Sequence, residues 1–291
     1  MALTINTNMS SLIVQKNLNA ATSMLNKSIE RMTTGYKINH AADNAAGYSI
    51  ATTWKTQLGS LDVASDNAST GADMLTTLED TYSLITSHLQ RVRDLTEQAA
   101  NGTYGSDSLK AIASEITARL EEIDRISANC EFNGLKMMDG SLTDDINLQV
   151  GLYSDAASRI ALDASLFQNG HVSALFKTFG GVGGATVAEV AKLCSGYDGK
   201  QITGGQNEML NKIDAVISEI SARTTTLGAA QNRIESAVES INVQSENITS
   251  SLSTLEMLML LKNLLIILKL KYSSRHLQHY LQLLTKHRVL L

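Results

Sequence analysis

Three groups of residues in this 291-residue sequence have types and spacings that could support chemistry. Glu121, Glu122 and Asp124 gather carboxylates suited to proton transfer or cation binding. His276 and His279 share one helical face, as two metal ligands would. The run "GGVGGATV" has the glycine content of a phosphate-cradling loop. None of them completes a site. Clustered carboxylates are ordinary on a solvated helical face, and the histidine pair lacks a third ligand. The glycine run has neither the third Gly of a dinucleotide loop nor the Lys of a P-loop, and its composition is that of a flexible linker. No H-E-x-x-H or G-x-S-x-G occurs. Cys130 and Cys194 have no metal-ligand spacing and are expected to be independent thiols. No catalytic residue, metal or cofactor is assigned, and an enzyme is not expected.

Composition points to long helices instead. Aromatic content is 4%, hydrophobic content is 43%, and there is no Pro. Such a chain packs through small and aliphatic side chains. Net charge is −5, unevenly spread. Residues 256–291 hold six Lys/Arg against Glu256 alone, or +5, which leaves −10 on residues 1–255. An acidic body of this kind excludes nucleic acid as an expected partner. "MALTINTNMSSLIVQKNLNA" has no basic start and no unbroken apolar run, so it does not read as a secretory signal.

The elements follow from periodicity. Leu18, Leu25, Ile29 and Met32 predict one stripe on a first helix over about 8–34, with Gly35 ending it. A second helical stretch contains the only tryptophan, Trp54, expected as a packing anchor. A further helix carries Leu75, Leu78, Tyr82, Ile85, Leu89 and Val92. After a turn at "ANGTYGSDS", Asp107 or Ser108 is a fair N-cap for a helix with Leu109, Ile112, Ile116, Leu120 and Ile123 on one face. "INLQVG" alternates as a short strand should. Glycines then crowd residues 152–205, which read as a short surface insert. Ile213, Ile220, Leu227, Ile234, Ile241, Ile248 and Leu255 fall at every seventh position, the mark of a long coiled-coil-type helix. Lys262 is next in that register, so the pattern stops at Leu255. The expected fold class is mainly α: a long antiparallel helical hairpin or coiled-coil rod with its N- and C-terminal helices side by side, a small β-containing segment and a short variable insert. Such stripes must be buried against neighbours, so the residues themselves point to a self-assembling or scaffold protein.

Several long collinear segments resemble bacterial flagellin: "MALTINTNMSSL", "SIERMTTGYKINHAADNAAGYSIA", "LQRVRDLTEQAANGT", "ARLEEIDRISANCEFNGLKMMDGS", "INLQVG" and "LGAAQNRIESAVESINVQSENITSSLSTL". They lie within residues 1–151 and 206–255. The resemblance implies an inner coiled-coil domain from 1–45 with 256–291, an outer core helical domain from 46–151 with 206–255, and a variable insert over 152–205. It also implies an extracellular filament subunit that polymerises with its own kind for motility. Its other implied partners are the flagellar export machinery and chaperone, and the filament cap and hook-associated proteins. By the same resemblance Arg91, Leu95 and Glu115 occupy positions that many family members use to engage a Toll-like innate receptor.

The tail departs from the family. Residues 256–291 contain no Ala, Gly or Asp and lack the family's Arg-Asp-Ala-Asp motif, Ala-rich helix and terminal Pro. An out-of-frame reading accounts for this. Met257-Leu258-Met259-Leu260, encoded ATG-CTG-ATG-CTG, conceals Ala-Asp-Ala in the offset frame, and His287-Arg288-Val289 can conceal Pro-Ser. As a membrane span, Met257–Leu268 is too short and contains Lys262, so a membrane is not an expected partner. The mixture of Leu with Lys and Arg leaves an alternative open: an assembly-defective or minor flagellin-like protein whose tail binds a membrane surface or a partner helix.

Overall fold

A computed structural model describes residues 9–177, 186–197, 206–257 and 260–289. Most of the glycine run "GGVGGATV" and the N-terminal eight residues lie outside them. The secondary structure is mainly helical, as the stripes predict. Helix α1 spans Met9–Thr34, α2 Ala45–Ala100 and α3 Ser106–Asn129. Four short strands follow: β1 (Glu131–Phe132), β2 (Leu135–Lys136), β3 (Ile146–Gln149) and β4 (Arg159–Leu162). Two short helices, α4 (Val172–Lys177) and α5 (Val187–Ser195), precede the long α6 (Gln206–Glu256) and the terminal α7 (Leu260–Val289).

Several local expectations change. The Trp54 stretch and the Leu75–Val92 stretch form one helix of 56 residues, α2. The residues joining them include Gly59 and Gly71 but no Pro, and isolated glycines weaken a helix without breaking it. Helix α3 starts earlier than predicted. Gly105 is its N-cap, without a side-chain cap, and Asp107 sits in its first turn. Gly35 does end α1, at φ +76°.

The chain divides into two compact units, residues 1–59 with 244–291, and residues 60–243. These limits fall within α2 and α6, which continue unbroken past residues 59 and 244.

In the unit of residues 60–243, the predicted stripes form the core. The α2 residues from Leu75 to Val92, the α3 residues from Leu109 to Ile123, and Ile213, Ile220, Leu227, Ile234 and Ile241 of α6 are all buried. Helices α2 and α6 run antiparallel, shown by Arg93 bonded to Asp214 and Gln231 to Glu79 (Nε2 to Oε2, 2.9 Å). The segment 152–177 contributes side chains to this core. Phe167, Val172, Leu175 and Phe176 are buried, and the Tyr82 hydroxyl donates to the Leu166 carbonyl at 3.0 Å. The α5 helix packs on α3 through Val190, Ala191 and Cys194. The glycines hid these apolar anchors from a periodicity search.

Strands β3 and β4 pair antiparallel, with Leu148 opposite Ile160. Their hairpin rests on α2, where Asn67 Nδ2 donates to the Gln149 carbonyl at 3.1 Å. Gly71 lies under Leu148, and a Cβ there would overlap the Leu148 side chain.

In the unit of residues 1–59 and 244–291, α1 and α7 lie against each other. Ser11, Val14, Leu18, Ala21, Leu25 and Ser28 are the buried or half-buried positions of α1 that follow a heptad spacing. Ile29 and Met32, predicted on the stripe, are exposed. On α7 the matching series is Asn263, Ile267, Leu270, Ser274, Leu277 and Leu281. Asn263 Nδ2 donates to the Ser28 carbonyl at 2.9 Å, and both residues are buried, so the two helices run antiparallel from that point. Small residues such as Ala21 and Ser28 let the pair approach closely, which moves the seam off Ile29 and Met32.

The loop between α1 and α2 is clamped by Asp43. Its carboxylate meets Lys27 Nζ at 2.5 Å and Arg31 at 3.4 Å, and accepts from the Asn39 and His40 amides. The Lys27 hydrogen bond is the main cause holding the Asp43 pKa at about 2, from 3.8. A depressed carboxylate pKa stabilises the fold above the unfolded value, and this contribution is lost as pH falls through the folded value. Thermal melts should therefore show wild type losing more stability than Asp43→Asn between about pH 4 and pH 2, with parallel behaviour above pH 5; equal slopes would remove the clamp from the account. A second expectation concerns Gly71. In a Leu148→Ala background Gly71→Ala should gain about 1 kcal/mol of helix propensity, and less than that in the native background. Denaturant unfolding of the four proteins in the cycle measures the difference.

Candidate self-assembly surface

The heptad series on α6 changes environment along its length. Ile213 to Ile241 are buried, whereas Ile248 and Leu255 are half-buried. The stripe loses cover where the unit of residues 60–243 ends. Beyond it, the α1–α7 pair makes a single seam and leaves its other faces open. Met9, Leu12, Ile13, Met24, Ile29 and Met32 of α1 are exposed, and so are Leu261, Leu264, Leu265, Ile266 and Leu268 of α7. Apolar side chains at this density on two adjacent helices mark an interaction surface.

The junction of α6 with the tail is pinned by polar contacts. Lys37 N donates to the Glu256 carbonyl at 2.6 Å, and Tyr36 pairs with Met257 in an isolated β-bridge. Lys55 Nζ reaches Glu256 Oε1 at 2.7 Å and lies over the Tyr36 ring, 5.1 Å from its centroid. Glu256 is buried, with Oε2 lacking a hydrogen-bond partner.

Charge is strongly polarised between the units. Residues 1–59 and 244–291 carry eleven Lys/Arg and four Asp/Glu, or +7, while residues 60–243 carry thirteen and twenty-five, or −12. The apolar surface and the excess positive charge therefore belong to the same unit.

Arg91 and Glu115 come together: Arg91 Nε donates to Glu115 Oε1 at 2.9 Å, joining α2 to α3 on a solvent-accessible face. Leu95 does not join them at the surface. Its side chain is 2% exposed and belongs to the core. One helical turn on from Arg91, it lies on the side that α2 packs inward.

The remaining chemical candidates are structural. Glu122 is paired with Arg125 at 2.5 Å, which lowers the Glu122 pKa. Asp124 accepts from the Val172 amide at 2.7 Å and caps α4. The His276 ring lies tilted at 48° to that of Tyr272, with centroids 5.6 Å apart. Cys130 and Cys194 are free and buried. Burial raises both thiols, Cys194 to about 12. Among the described residues no group of His, Cys, Asp and Glu could hold a metal ion.

Comparison with known proteins agrees with this arrangement. The bacterial flagellin N-terminal helical region matches residues 5–143, and the bacterial flagellin C-terminal helical region matches residues 210–258. Phase 1 flagellin of Salmonella naestved and flagellin of Salmonella dublin are each 40% identical over 204 residues, covering 70% of this chain. The chain spans 39% of the length of those relatives. A putative flagellar hook-associated protein from Vibrio parahaemolyticus shares the fold, with a TM-score of 0.61 and 14% identity over 74% of this chain and 100% of its own. Bacillus cereus FlgL does so with a TM-score of 0.52 and 19% identity over 69% of this chain and 99% of its own. With matched helical regions at both ends of the core and this fold between them, the chain belongs to the bacterial flagellin family, a family of structural proteins.

Proposed function

We propose that this chain is a subunit that polymerises into an extracellular flagellar filament for motility. The observation that carries the proposal is the uncovered apolar surface of α1 at Met9, Leu12, Ile13, Met24, Ile29 and Met32, which remains after the intramolecular seam has formed. The unit of residues 60–243 buries its own stripes; the unit holding the chain ends does not. In an assembled polymer, neighbouring copies would cover what one copy leaves open. On this reading residues 1–45 with 256–291 act as the inner domain, and 46–151 with 206–255 as the outer core. The export machinery with its chaperone, the filament cap and the hook-associated proteins are the partners that family membership suggests.

A second reading is favoured by the accessible Arg91–Glu115 pair. A Toll-like innate receptor would meet these two charges, while Leu95 would act only from beneath, by supporting the helix that presents Arg91. Loss of Arg91 leaves Glu115 without that partner but touches no core residue.

The tail has its own proposed origin. The C-terminal family match stops at residue 258, close to the point where Ala, Gly and Asp disappear. This supports an out-of-frame origin for residues 256–291.

Electron microscopy of purified chain under polymerising conditions should show filaments. Leu12→Asp with Ile13→Asp should abolish them without loss of the helical circular dichroism signal, since both side chains are exposed; absence of wild-type filaments would favour an assembly-defective flagellin. In a receptor reporter assay, monomer should signal and Arg91→Ala should weaken the response about tenfold or more, the scale of a lost interfacial charged contact. A silent wild-type monomer would end the receptor reading. For the tail, DNA sequence around codon 256 should reveal Ala-Asp-Ala and Pro-Ser codons in the offset frame, and unrelated codons would reject that origin.

A further inference from the structure

Helix α7 has two apolar stripes on opposite sides. The inward stripe, from Asn263 to Leu281, faces α1. Nearly half a turn away, at about 100° per residue, Leu261, Leu265, Leu268 and Tyr272 repeat a four-three-four spacing. They are 80%, 68%, 56% and 72% exposed. Opposed stripes cancel in any measure of one-sidedness, so the helix does not look amphipathic when averaged over its length.

The borders of the outer stripe are cationic. Lys262 and Lys269 lie along one side, Lys271 and Arg275 along the other, each about a quarter-turn from the centre of the stripe. No Asp or Glu occurs after Glu256. Among the described residues, none of these four cations has a carboxylate partner. A second α7 would bring cations against cations along both borders, which opposes pairing of like helices. Among its described residues, the acidic unit of another copy offers no matching stripe. Its exposed large apolar residues, Val63, Leu84, Leu135, Tyr153, Leu193 and Val243, are scattered over helices, a strand and a loop.

We infer that the outer face of α7 binds an anionic lipid surface. Leu261, Leu265 and Leu268 enter the boundary between headgroups and acyl chains, with Tyr272 at the same level. Lys262, Lys269, Lys271 and Arg275 extend sideways to the headgroup phosphates, their methylene stems lying along the apolar zone. Helix α1 remains on the opposite side and keeps the inner stripe covered. The attachment is peripheral, since no helix among the described residues is long and apolar enough to cross a membrane. This property goes beyond filament assembly and resides in a helix that neither family description matches.

Flotation of the full-length chain tests it, using vesicles of phosphatidylcholine alone and vesicles with one quarter phosphatidylserine. Wild type should float with the anionic vesicles, remain below with the neutral ones, and dissociate as salt rises. Lys262→Gln with Lys269→Gln should lower partitioning roughly 25-fold, at about fivefold for each cation near an anionic surface. Leu261→Ser with Leu265→Ser should abolish flotation while circular dichroism stays unchanged. Failure of wild type to float, equal binding to neutral vesicles, or undiminished flotation of the leucine variant would each overturn the proposal. So would a leucine variant that loses lipid-free self-association, measured by sedimentation, when wild type does not float, since the face would then belong to a second copy.

Discussion

A helix of 51 residues with an apolar side chain at every seventh position cannot leave that stripe in water. Burying an Ile or Leu side chain contributes about 1.5–3 kcal/mol, so the five buried members from Ile213 to Ile241 contribute on the order of 10 kcal/mol before chain entropy is counted. Exposed ion pairs such as Arg91–Glu115 contribute about 0–1 kcal/mol each. The stripe therefore holds the helices together, and the ion pairs select register. Arg93 with Asp214 and Gln231 with Glu79 mark that register at two points along α2 and α6.

The same constraint is met differently toward the chain ends. Ile248 and Leu255 are only half-buried, and the α1–α7 seam includes Ser11, Ser28, Asn263 and Ser274 among its members. Its apolar members, such as Leu18, Leu25, Ile267 and Leu270, are only half-buried, unlike the α6 stripe from Ile213 to Ile241. The seam is positioned chiefly by the buried Asn263–Ser28 hydrogen bond, because an unpaired amide there would carry a desolvation cost of about 1–3 kcal/mol. What remains exposed, with an excess of positive charge, is a surface suited to further association.

Much of this was legible in the residues. The stripes on α2, α3 and α6 lie in the core where their periods put them, and the short strand at Ile146–Gln149 was readable from alternation. The anchors in 152–195 were not, because glycines and short 3-10 turns interrupt any period around Phe167, Val172 and Phe176. One local signal was available there. Thr186 and Glu189 form a capping box at the start of α5. "FNGL" likewise announces the β1–β2 hairpin, with Asn133 and Gly134 both at positive φ. Leu95 shows the limit of a motif, since its helical spacing from Arg91 said nothing about which way it faced. Solvent exposure of Ile29 and Met32 had a different cause: the register of α1 is set by its partner helix, and that partner follows no family pattern.

The central claim is that residues 60–243 complete their own core, whereas the unit holding the chain ends is completed only by association. Hydrogen–deuterium exchange compared between monomer and assembled material tests this most directly. Amides of 75–92 and 213–241 should be protected in both states, while 9–34 and 260–289 should exchange readily in the monomer and become protected on assembly. Strong protection of α1 and α7 in the isolated monomer, or new protection confined to 60–243, would contradict the account.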